Sequence, residues 1–266
     1  MRATLEFVGT ATTLLRLGPF TLLTDPNFLH RGQRAYLGKG LFSKRLTEPS
    51  LQPEDLPALD GVLLSHLHGD HFDRIARDRL DRDLTVLTTP AASRKLSSWG
   101  FSGAHGMDTW ETAAFDDGSA SLTVTSVPGR HAPGVFQSVF PPVMGSVLEL
   151  QEGDAAPFRV YVTGDTLCYP WLREVTERCG PVDAMVIHLG GTRAFGLLVT
   201  MDGDQGVDLV DLVRPGVTVP IHYDDYTVFR SPLEDFLDAC RDRDAPTRVQ
   251  PVARGQVVSL QNPRGQ

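Results

Sequence analysis

The segment Ser65-His66-Leu67-His68-Gly69-Asp70-His71 directs the interpretation of the whole sequence. It brings three histidines and an aspartate together directly after the apolar run Gly61-Val62-Leu63-Leu64. The chain of 266 residues has only 8 histidines, so this concentration is unusual. Imidazole and carboxylate groups together are typical ligands of a zinc-like divalent ion. The segment therefore predicts a metal site at the end of a buried strand.

Three later apolar segments also lead to a residue that can bind metal. The predicted strands 121–127, 158–164 and 217–221 are followed by His131, Asp165 and His222, respectively. In open α/β sheets, sites gather at the C-terminal ends of the strands. We therefore expect these residues to converge on the place marked by the first segment.

The order of predicted elements indicates an α/β fold with right-handed crossovers. Strands are predicted over 5–8, 12–17 and 20–24 as an antiparallel meander, and later over 59–65, 84–88, 112–115, 121–127, 145–150, 159–163, 184–188, 217–221 and 257–260. Helices are predicted over 72–80, 91–99, 170–179, 202–213 and from 231 to about 241. The last of these opens with a capping box, Ser231 to Glu234. The order of elements also suggests that the chain consists of two similar halves, one before and one after about residue 120.

Two stretches without periodicity are predicted to lie over the site. Residues 26–57 contain five positive charges interleaved with ring side chains: Arg31, Arg34, Lys39, Lys44 and Arg45 alternate with His30, Tyr36 and Phe42. This stretch is either a solvated surface loop or a lid that offers cations and aromatic rings to an anionic substrate. Residues 132–142, rich in proline and phenylalanine, form the second loop.

Composition excludes several classes of protein. The net charge of −8 disfavours general nucleic-acid binding, which needs clustered lysine and arginine. Three cysteines without a CxxC motif argue against a disulfide scaffold and suit a reducing cytosol, so a cytoplasmic location is expected. The first residues lack the apolar region of a signal peptide, and no run of about 18 apolar residues predicts a membrane span.

The sequence resembles the metallo-β-lactamase-fold hydrolases. The resemblance rests on the His66-x-His68-x-Asp70-His71 motif, followed by His131, by Asp165 in Gly164-Asp165-Thr166 and by His222 in Pro220-Ile221-His222-Tyr223. Within the superfamily it is most similar to the branch of L-ascorbate-6-phosphate lactonase and N-acylphosphatidylethanolamine-hydrolysing phospholipase D. Met201 before an acidic helix start is one cue to that branch.

The resemblance implies a four-layer αββα sandwich formed by a single domain, 1–266, with two divalent metal ions. His66, His68 and His131 would hold the first ion. Asp70, His71 and His222 would hold the second, and Asp165 would bridge the two. Zinc is the expected metal, with manganese or iron as alternatives.

The bridging aspartate implies a hydrolase that is not a true β-lactamase. True zinc β-lactamases typically place a cysteine among the second-site ligands, whereas this chain has Asp165, and Cys168 is offset by three positions. The resemblance implies that a water activated by two metals attacks an ester, a phosphodiester or a lactone of a small to medium anionic substrate. Asp70 would orient this water or accept its proton.

Two further residues have open roles. His188 ends a predicted strand before Gly190-Gly191, where relatives commonly have proline. It is interpreted either as a catalytic histidine, which supports the ligands from behind or contacts the substrate and could protonate a leaving group, or as a strand-end histidine satisfied by the backbone. Asp25 either hydrogen-bonds a ligand histidine or caps a turn before Pro26.

Two other functions remain as alternatives to the hydrolase. One is a nuclease of the same fold, which the acidic charge and the lack of an added nucleic-acid domain disfavour. The other is a metal-binding or ligand-sensing protein without catalysis, which a missing ligand would have favoured.

Overall fold

Two seven-stranded β-sheets form the framework of the chain. The computed structural model describes residues 2–194 and 196–262. Within this part the strands are β1 (Ala3–Gly9), β2 (Thr12–Leu17), β3 (Phe20–Thr24), β4 (Arg34–Tyr36), β5 (Phe42–Lys44), β6 (Gly61–Leu64), β7 (Val86–Thr88), β8 (Ala104–Gly106), β9 (Thr112–Asp116), β10 (Ala120–Gly129), β11 (Val143–Glu152), β12 (Phe158–Val162), β13 (Ala184–His188), β14 (Arg193–Ala194), β15 (Leu197–Leu198), β16 (Val217–Ile221), β17 (Arg248–Val249) and β18 (Val257–Ser259). The helices are α1 (Arg74–Arg79), α2 (Pro90–Ser98), α3 (Glu174–Cys179), α4 (Gly203–Val213) and α5 (Leu233–Asp242), with 3-10 turns at Pro53–Asp55, Gly134–Val139 and Pro170–Arg173.

The two sheets follow the same plan. The first has the order β18-β1-β2-β3-β6-β7-β8 and the second β17-β16-β13-β12-β11-β10-β9. In each, an antiparallel portion continues into three strands that pair in parallel. The parallel strands β6, β13 and β16 are buried at every position, which explains their continuous apolar sequence. The two sheets correspond to the two predicted halves except that β18, at 257–259, belongs to the first sheet. The chain passes from the first sheet to the second between residues 106 and 112, which corrects the predicted boundary near 120.

Three apolar cores separate four layers. The central core packs the facing sides of the two sheets together, with Phe7, Leu15 and Val186 among its members. A second core joins the outer face of the second sheet to α3, α4 and α5, through residues such as Leu209 and Phe236. A third joins the first sheet to α1 and α2. This arrangement confirms the predicted αββα sandwich.

Most predicted elements are confirmed, with two local corrections. The predicted helix 170–179 consists of a 3-10 turn followed by α3, because Pro170 occupies the start of the tight first turn. The capping box at Ser231 is wrong, because the residue that caps α5 is Pro232, which has no side-chain acceptor. Ser231 Oγ instead donates to Asp235 Oδ2 at 2.9 Å and accepts from the Gly203 amide at 3.1 Å, so it ties α5 to α4.

The segment 26–57 contains a short hairpin formed by β4 and β5, which the sequence did not predict. The Tyr36 carbonyl accepts from the Gly69 amide at 2.9 Å, so this hairpin lies against the His66–His71 segment. Of the five cations, Arg31, Arg34, Lys39 and Lys44 are exposed, whereas Arg45 is fully buried.

Two further findings concern the chain as a whole. The cysteines at 168, 179 and 240 are all free thiols. Among the described residues, none of the helices has the length and apolar character needed to cross a membrane.

Candidate metal centre

The candidate metal centre lies where strands of both sheets end. The His66–His71 segment follows β6, and His131, Asp165 and His222 follow β10, β12 and β16. The structure therefore brings together all seven predicted ligands from both halves of the chain. Their ligand atoms form overlapping groups in which every pair of atoms lies within 4.8 Å. All seven are buried except His68, which is partly exposed.

The first group consists of His66, His68 and His131, with their imidazole nitrogens facing one another. His66 Nε2 and His68 Nδ1 are 3.0 Å apart, and His131 Nε2 lies 3.4 Å from the same His68 nitrogen. The carbonyl oxygen of Val199, which can only accept, lies 2.6 Å from His131 Nδ1. The proton of His131 is thereby fixed on Nδ1, which leaves the Nε2 lone pair directed into the group.

The second group consists of Asp70, His71 and His222. His222 Nδ1 donates to the Leu189 carbonyl at 3.1 Å, so its Nε2 faces Asp70 Oδ2 at 3.6 Å. Asp165 lies between the groups, with Oδ2 3.3 Å from His71 Nε2. The hydroxyl of Thr200 donates to the same Asp165 oxygen at 3.1 Å and fixes its orientation.

The imidazoles of the first group are held neutral. Burial lowers the pKa of His66 well below its usual value and lowers that of His68 to about 3. Burial also lowers the pKa of His131, against the nearby charge of Asp165. All three therefore keep a free lone pair at neutral pH, which is the state that binds a metal ion.

The second group has the opposite electrostatic character. Burial alone would lower the pKa of His71, but the carboxylates of Asp165, Asp25 and Asp70 outweigh it and raise the pKa above its usual value. Burial would raise the pKa of Asp165, yet His222 and His71 hold it well below its ordinary range. The buried carboxylates thus require positive charge beside them. A divalent cation can supply that charge and release the protons of the imidazoles.

Several buried polar atoms at this place have no hydrogen-bond partner. Among the described residues they are Asp70 Oδ1, His71 Nε2, Asp165 Oδ1, His188 Nε2 and His222 Nε2. Buried polar atoms in native proteins are nearly always hydrogen-bonded, and exceptions often indicate an ion or water. Nitrogen and carboxylate donors in this number suit two ions better than one tetrahedral zinc. The residues therefore fit the metal centre that the resemblance implies.

A layer of hydrogen bonds behind the ligands involves Asp25 and Ser65. Asp25 Oδ2 accepts from His71 Nδ1 at 3.0 Å and from Ser65 Oγ at 2.9 Å, and Ser65 Oγ lies 3.0 Å from His66 Nδ1. Burial would raise the pKa of Asp25, but the neighbouring His71 and His188 lower it to about 2. Of the two roles open to Asp25, the structure shows the contact with a ligand histidine.

His188 lies on the closed side of the site. Its side chain is fully buried, with Nδ1 3.2 Å from Thr163 Oγ1 and Nε2 3.5 Å from Asp25 Oδ2. Its ring is nearly parallel to that of His71, with centroids 6.0 Å apart. His188 is as deeply buried as His66 and His71, and its side-chain contacts are with Thr163 and Asp25, so its role as a proton donor stays a prediction.

Local backbone constraints explain two glycines of the site. A Cβ at Gly69 would lie 2.7 Å from the Tyr36 amide nitrogen, so only glycine lets the hairpin approach the ligand segment. Gly164 has a φ of 62°, and a Cβ there would lie 2.8 Å from the Met144 carbonyl oxygen. His222 itself has a φ of 65°, a left-handed conformation that is uncommon for non-glycine residues and for which histidine is enriched.

Sequence reasoning missed the groups that orient the ligands. The carbonyls of Val199 and Leu189 carry no sequence signal, because every residue has one. Thr200 and Ser65 are ordinary in sequence, although Ser65 directly precedes the motif. The remaining histidines behave as expected of surface residues: exposed His30 and His105 pair with glutamates.

Comparison with known proteins supports the predicted superfamily and fold. Residues 21–223 match the family model described as the beta-lactamase superfamily domain. A UPF0173 metal-dependent hydrolase of Staphylococcus haemolyticus is 26% identical over 239 residues, which cover 86% of this chain and 97% of the relative. The structure of a possible metal-dependent hydrolase from Veillonella parvula has a TM-score of 0.81 and 18% identity, and covers 97% of this chain and 100% of its own. The structure of an isothiocyanate hydrolase from Delia radicum gut bacteria has a TM-score of 0.80 and 18% identity, and covers 97% of this chain and 99% of its own. At these identities the structural likenesses show the fold.

Proposed function

This chain belongs to the beta-lactamase superfamily and has the fold of its metal-dependent hydrolases; from that premise, we propose that it hydrolyses its substrate with two metal ions. The bond proposed to be cleaved is an ester, a phosphodiester or a lactone in a small to medium anionic substrate. The observation that carries the proposal is the set of buried nitrogen and oxygen atoms without partners around Asp165.

We assign the first ion to His66, His68 and His131, and the second to Asp70, His71 and His222, with Asp165 shared. When bound, two divalent ions such as Zn²⁺, Mn²⁺ or Fe²⁺ supply a deprotonated water near neutral pH and polarise the bond to be cleaved. The first group has neutral imidazoles and no carboxylate of its own, so the shared Asp165 would offset the charge of the first ion, whereas Asp70 and Asp165 together would offset that of the second.

Asp70 is the proposed catalytic residue among the ligands. Its Oδ2 faces His222, whereas its Oδ1 is buried without a partner. Oδ1 is therefore available to orient the attacking water and to accept its proton. For His188 we propose a positioning role in place of proton donation, because it is buried behind His71 and contacts Asp25.

The test combines metal analysis with turnover. The purified protein is expected to contain two divalent ions per chain and to hydrolyse bis(p-nitrophenyl) phosphate, a p-nitrophenyl ester or a lactone. Removal of the ions by a chelator should abolish turnover, and added Zn²⁺ or Mn²⁺ should restore it. Bound metal without turnover of any of these would support a metal-binding or sensing protein instead, and turnover of DNA alone would support the nuclease.

A further inference from the structure

A cleft of about 330 Å³ lies beside His68, between the hairpin β4–β5 and the first helical layer. Leu67, Phe72 and Trp99 form an apolar wall of this cleft. His68 belongs both to the cleft and to the first group of metal ligands. A molecule held in the cleft therefore lies next to the candidate metal centre.

A second, smaller cavity extends the apolar surface. It measures about 190 Å³ and shares Leu67 and His68 with the first. Its other walls are the hairpin tip, with Leu37 and Leu41, and the 139–141 segment of the second loop, with Phe140. The partly exposed ligand His68 is thus bordered by apolar surface on two sides.

Exposed apolar side chains concentrate around these cavities. Among the described residues, seven of the eight exposed large apolar side chains belong to the two loops beside His68: Tyr36, Leu41, Phe42, Leu46, Val135, Phe136 and Val139. Tyr36 and Phe42 are 51% and 59% exposed, and their rings pack together at 5.1 Å. Scattered exposed apolar residues are normal, whereas a cluster marks a surface that binds something.

The same cleft contains cations that lack partners. Arg34 and Arg74 both line it, and neither guanidinium makes an ion pair or hydrogen bond with any described residue. Arg77 is different, since it pairs with Asp78 at 2.9 Å and stacks on Trp99. Other exposed cations such as Arg31 and Lys44 lie outside the cleft, so what distinguishes Arg34 and Arg74 is their position beside its apolar wall.

The single carboxylate of this wall does not neutralise them. Asp73 is buried, and its oxygens accept from the amides of Phe28 and Leu29 at 2.5 and 2.6 Å and from Ala76 at 2.8 Å. These hydrogen bonds occupy the carboxylate with the start of α1 and the segment after β3. The free positive charge of the cleft therefore remains available to a ligand.

We propose that this cleft recognises an amphiphilic anion: a substrate whose apolar chain or ring packs on Leu67 and Trp99 while its negative group lies at Arg34 and Arg74. The inference rests on the proposed hydrolase function, for which it names the substrate class. It also assigns specificity to Arg34 and Arg74, which are not among the proposed metal ligands.

Binding is tested on the metal-free protein with two fluorescent probes that share the same rings. 1-Anilinonaphthalene-8-sulfonate carries a negative charge, and N-phenyl-1-naphthylamine is neutral. The double variant Arg34→Leu/Arg74→Leu is expected to weaken binding of the sulfonate about tenfold while changing binding of the neutral probe less than about twofold. Trp99→Ala should weaken both probes.

The matched control is Arg31→Leu/Lys44→Leu, which removes the same charge from exposed positions of the same segment outside the cleft. It should leave the affinity of both probes unchanged. Equal weakening of the sulfonate by the two double variants would show non-specific attraction and overturn the proposal, as would no weakening by Arg34→Leu/Arg74→Leu.

Turnover separates this inference from the proposed function. The ratio of kcat/KM for p-nitrophenyl hydrogen glutarate to that for p-nitrophenyl valerate should fall about tenfold in Arg34→Leu/Arg74→Leu and stay unchanged in the control. Hydrolysis of both esters without dependence on these arginines would refute the cleft and leave the hydrolase standing. Arginine-dependent binding of the sulfonate without turnover of any of the ester, phosphodiester or lactone substrates would support the cleft and refute the hydrolase.

Discussion

Two clusters of buried charge lie next to each other in this fold, and they differ in how far the protein itself satisfies them. In the Arg45 cluster, formed by Arg45, Asn27, Thr47, Asp225 and Arg254, Asp225 accepts from the Thr10 amide at 2.7 Å, from Thr47 Oγ1 and from Arg254 Nε at 3.0 Å. Arg45 donates to the Asn27 side chain and to the Thr47 carbonyl, whereas its Nη2 makes no hydrogen bond and lies 3.6 Å from Asp225 Oδ1 as an ion pair. In the candidate metal centre, by contrast, five buried atoms of the described residues have no hydrogen-bond partner.

The contrast separates a structural charge cluster from a functional one. Both are buried and polar, so burial alone does not distinguish them. The Arg45 cluster is hydrogen-bonded within the protein except at Arg45 Nη2, which is ion-paired with Asp225. It joins the segment 26–57 to the chain just after His222, and Asn27 Nδ2 extends it to the Gly69 carbonyl at 2.7 Å. The candidate metal centre keeps buried nitrogen and oxygen atoms that no other protein group satisfies. Substitutions in the first should therefore cost stability, and substitutions in the second should cost metal binding and turnover.

The largest expected effect is that of His68→Ala on turnover. A bound ion supplies several kcal/mol of transition-state stabilisation, and each 1.36 kcal/mol is a factor of ten in rate, so turnover should fall by about a thousandfold. Metal analysis should show less than two ions per chain. The thermal midpoint of the metal-free protein should stay close to that of the parent protein.

His105→Ala, at an exposed histidine that pairs with Glu111, is the matched control and should keep both metal content and turnover. Full turnover in His68→Ala would contradict the assignment of this histidine to the metal centre.

Arg45→Met should produce the opposite pattern. Removing one partner of a buried ion pair leaves the other charge poorly compensated, which typically costs 3–5 kcal/mol. Because Arg254 still contacts Asp225, we expect a loss of about 3 kcal/mol in the free energy of unfolding, measured by urea denaturation of the metal-free protein.

Lys44→Met, at the exposed neighbouring position, should change the free energy of unfolding by less than about 0.5 kcal/mol. If Arg45→Met lost its metal ions without losing stability, the distinction between the two clusters would collapse.

Asp25→Asn tests the hydrogen bonds behind the ligands. Asp25 Oδ2 accepts from His71 Nδ1 at 3.0 Å and so keeps the proton of His71 on Nδ1. Loss of such a hydrogen-bond partner typically lowers metal affinity about 10- to 100-fold. Competition with a chelator of known affinity measures this change. Asp238→Asn, an exposed aspartate that pairs with Arg241, should leave the affinity unchanged, and an equal loss in both variants would contradict a specific role of Asp25.

The smallest effect is a change in how stability depends on pH in the metal-free protein. Burial lowers the pKa of His68 from 6.5 to about 3, so between these values the unfolded chain binds a proton at His68 that the folded chain does not. Stability therefore falls as the pH drops from 6.5 towards 3. One proton changes the free energy of unfolding by at most about 1.4 kcal/mol per pH unit, so the slope in His68→Ala should be shallower by no more than that amount. Because His68 is partly exposed, solvent screening should keep the change below this limit. An identical slope in both proteins would contradict the depressed pKa.

The sheets and the convergence of the seven candidate ligands are predictable from the sequence for one shared reason. Buried parallel strands are continuous apolar runs, and a polar residue directly after such a run lies at the edge where sites form. Gly61–Leu64 before His66 and Val217–Ile221 before His222 both follow this rule. The predicted strands and the αββα layers are therefore confirmed, whereas the role of the seven residues as metal ligands stays a prediction.

What the sequence does not reveal depends on tertiary contacts. β4, β5, β14 and β17 have only two or three residues each, which is too short for a periodic pattern to be detectable. Arg45 resembles its exposed neighbour Lys44 in sequence, and only the distant Asp225 and Asn27 explain its burial. Ser231 has the pattern of a helix cap, but its hydroxyl bonds to Gly203 and Asp235 instead.

The division of the ligands between one contiguous segment and three distant strand ends has a consequence for biosynthesis. His71 and His222 are separated by about 150 residues, and a ribosome adds about 5–20 residues per second. The histidines of the first segment therefore leave the ribosome roughly 8 to 30 seconds before the last ligand is made. On the proposed ligand set, the nascent chain is an incomplete chelator during that time, and the complete site forms only after the last strand has been made.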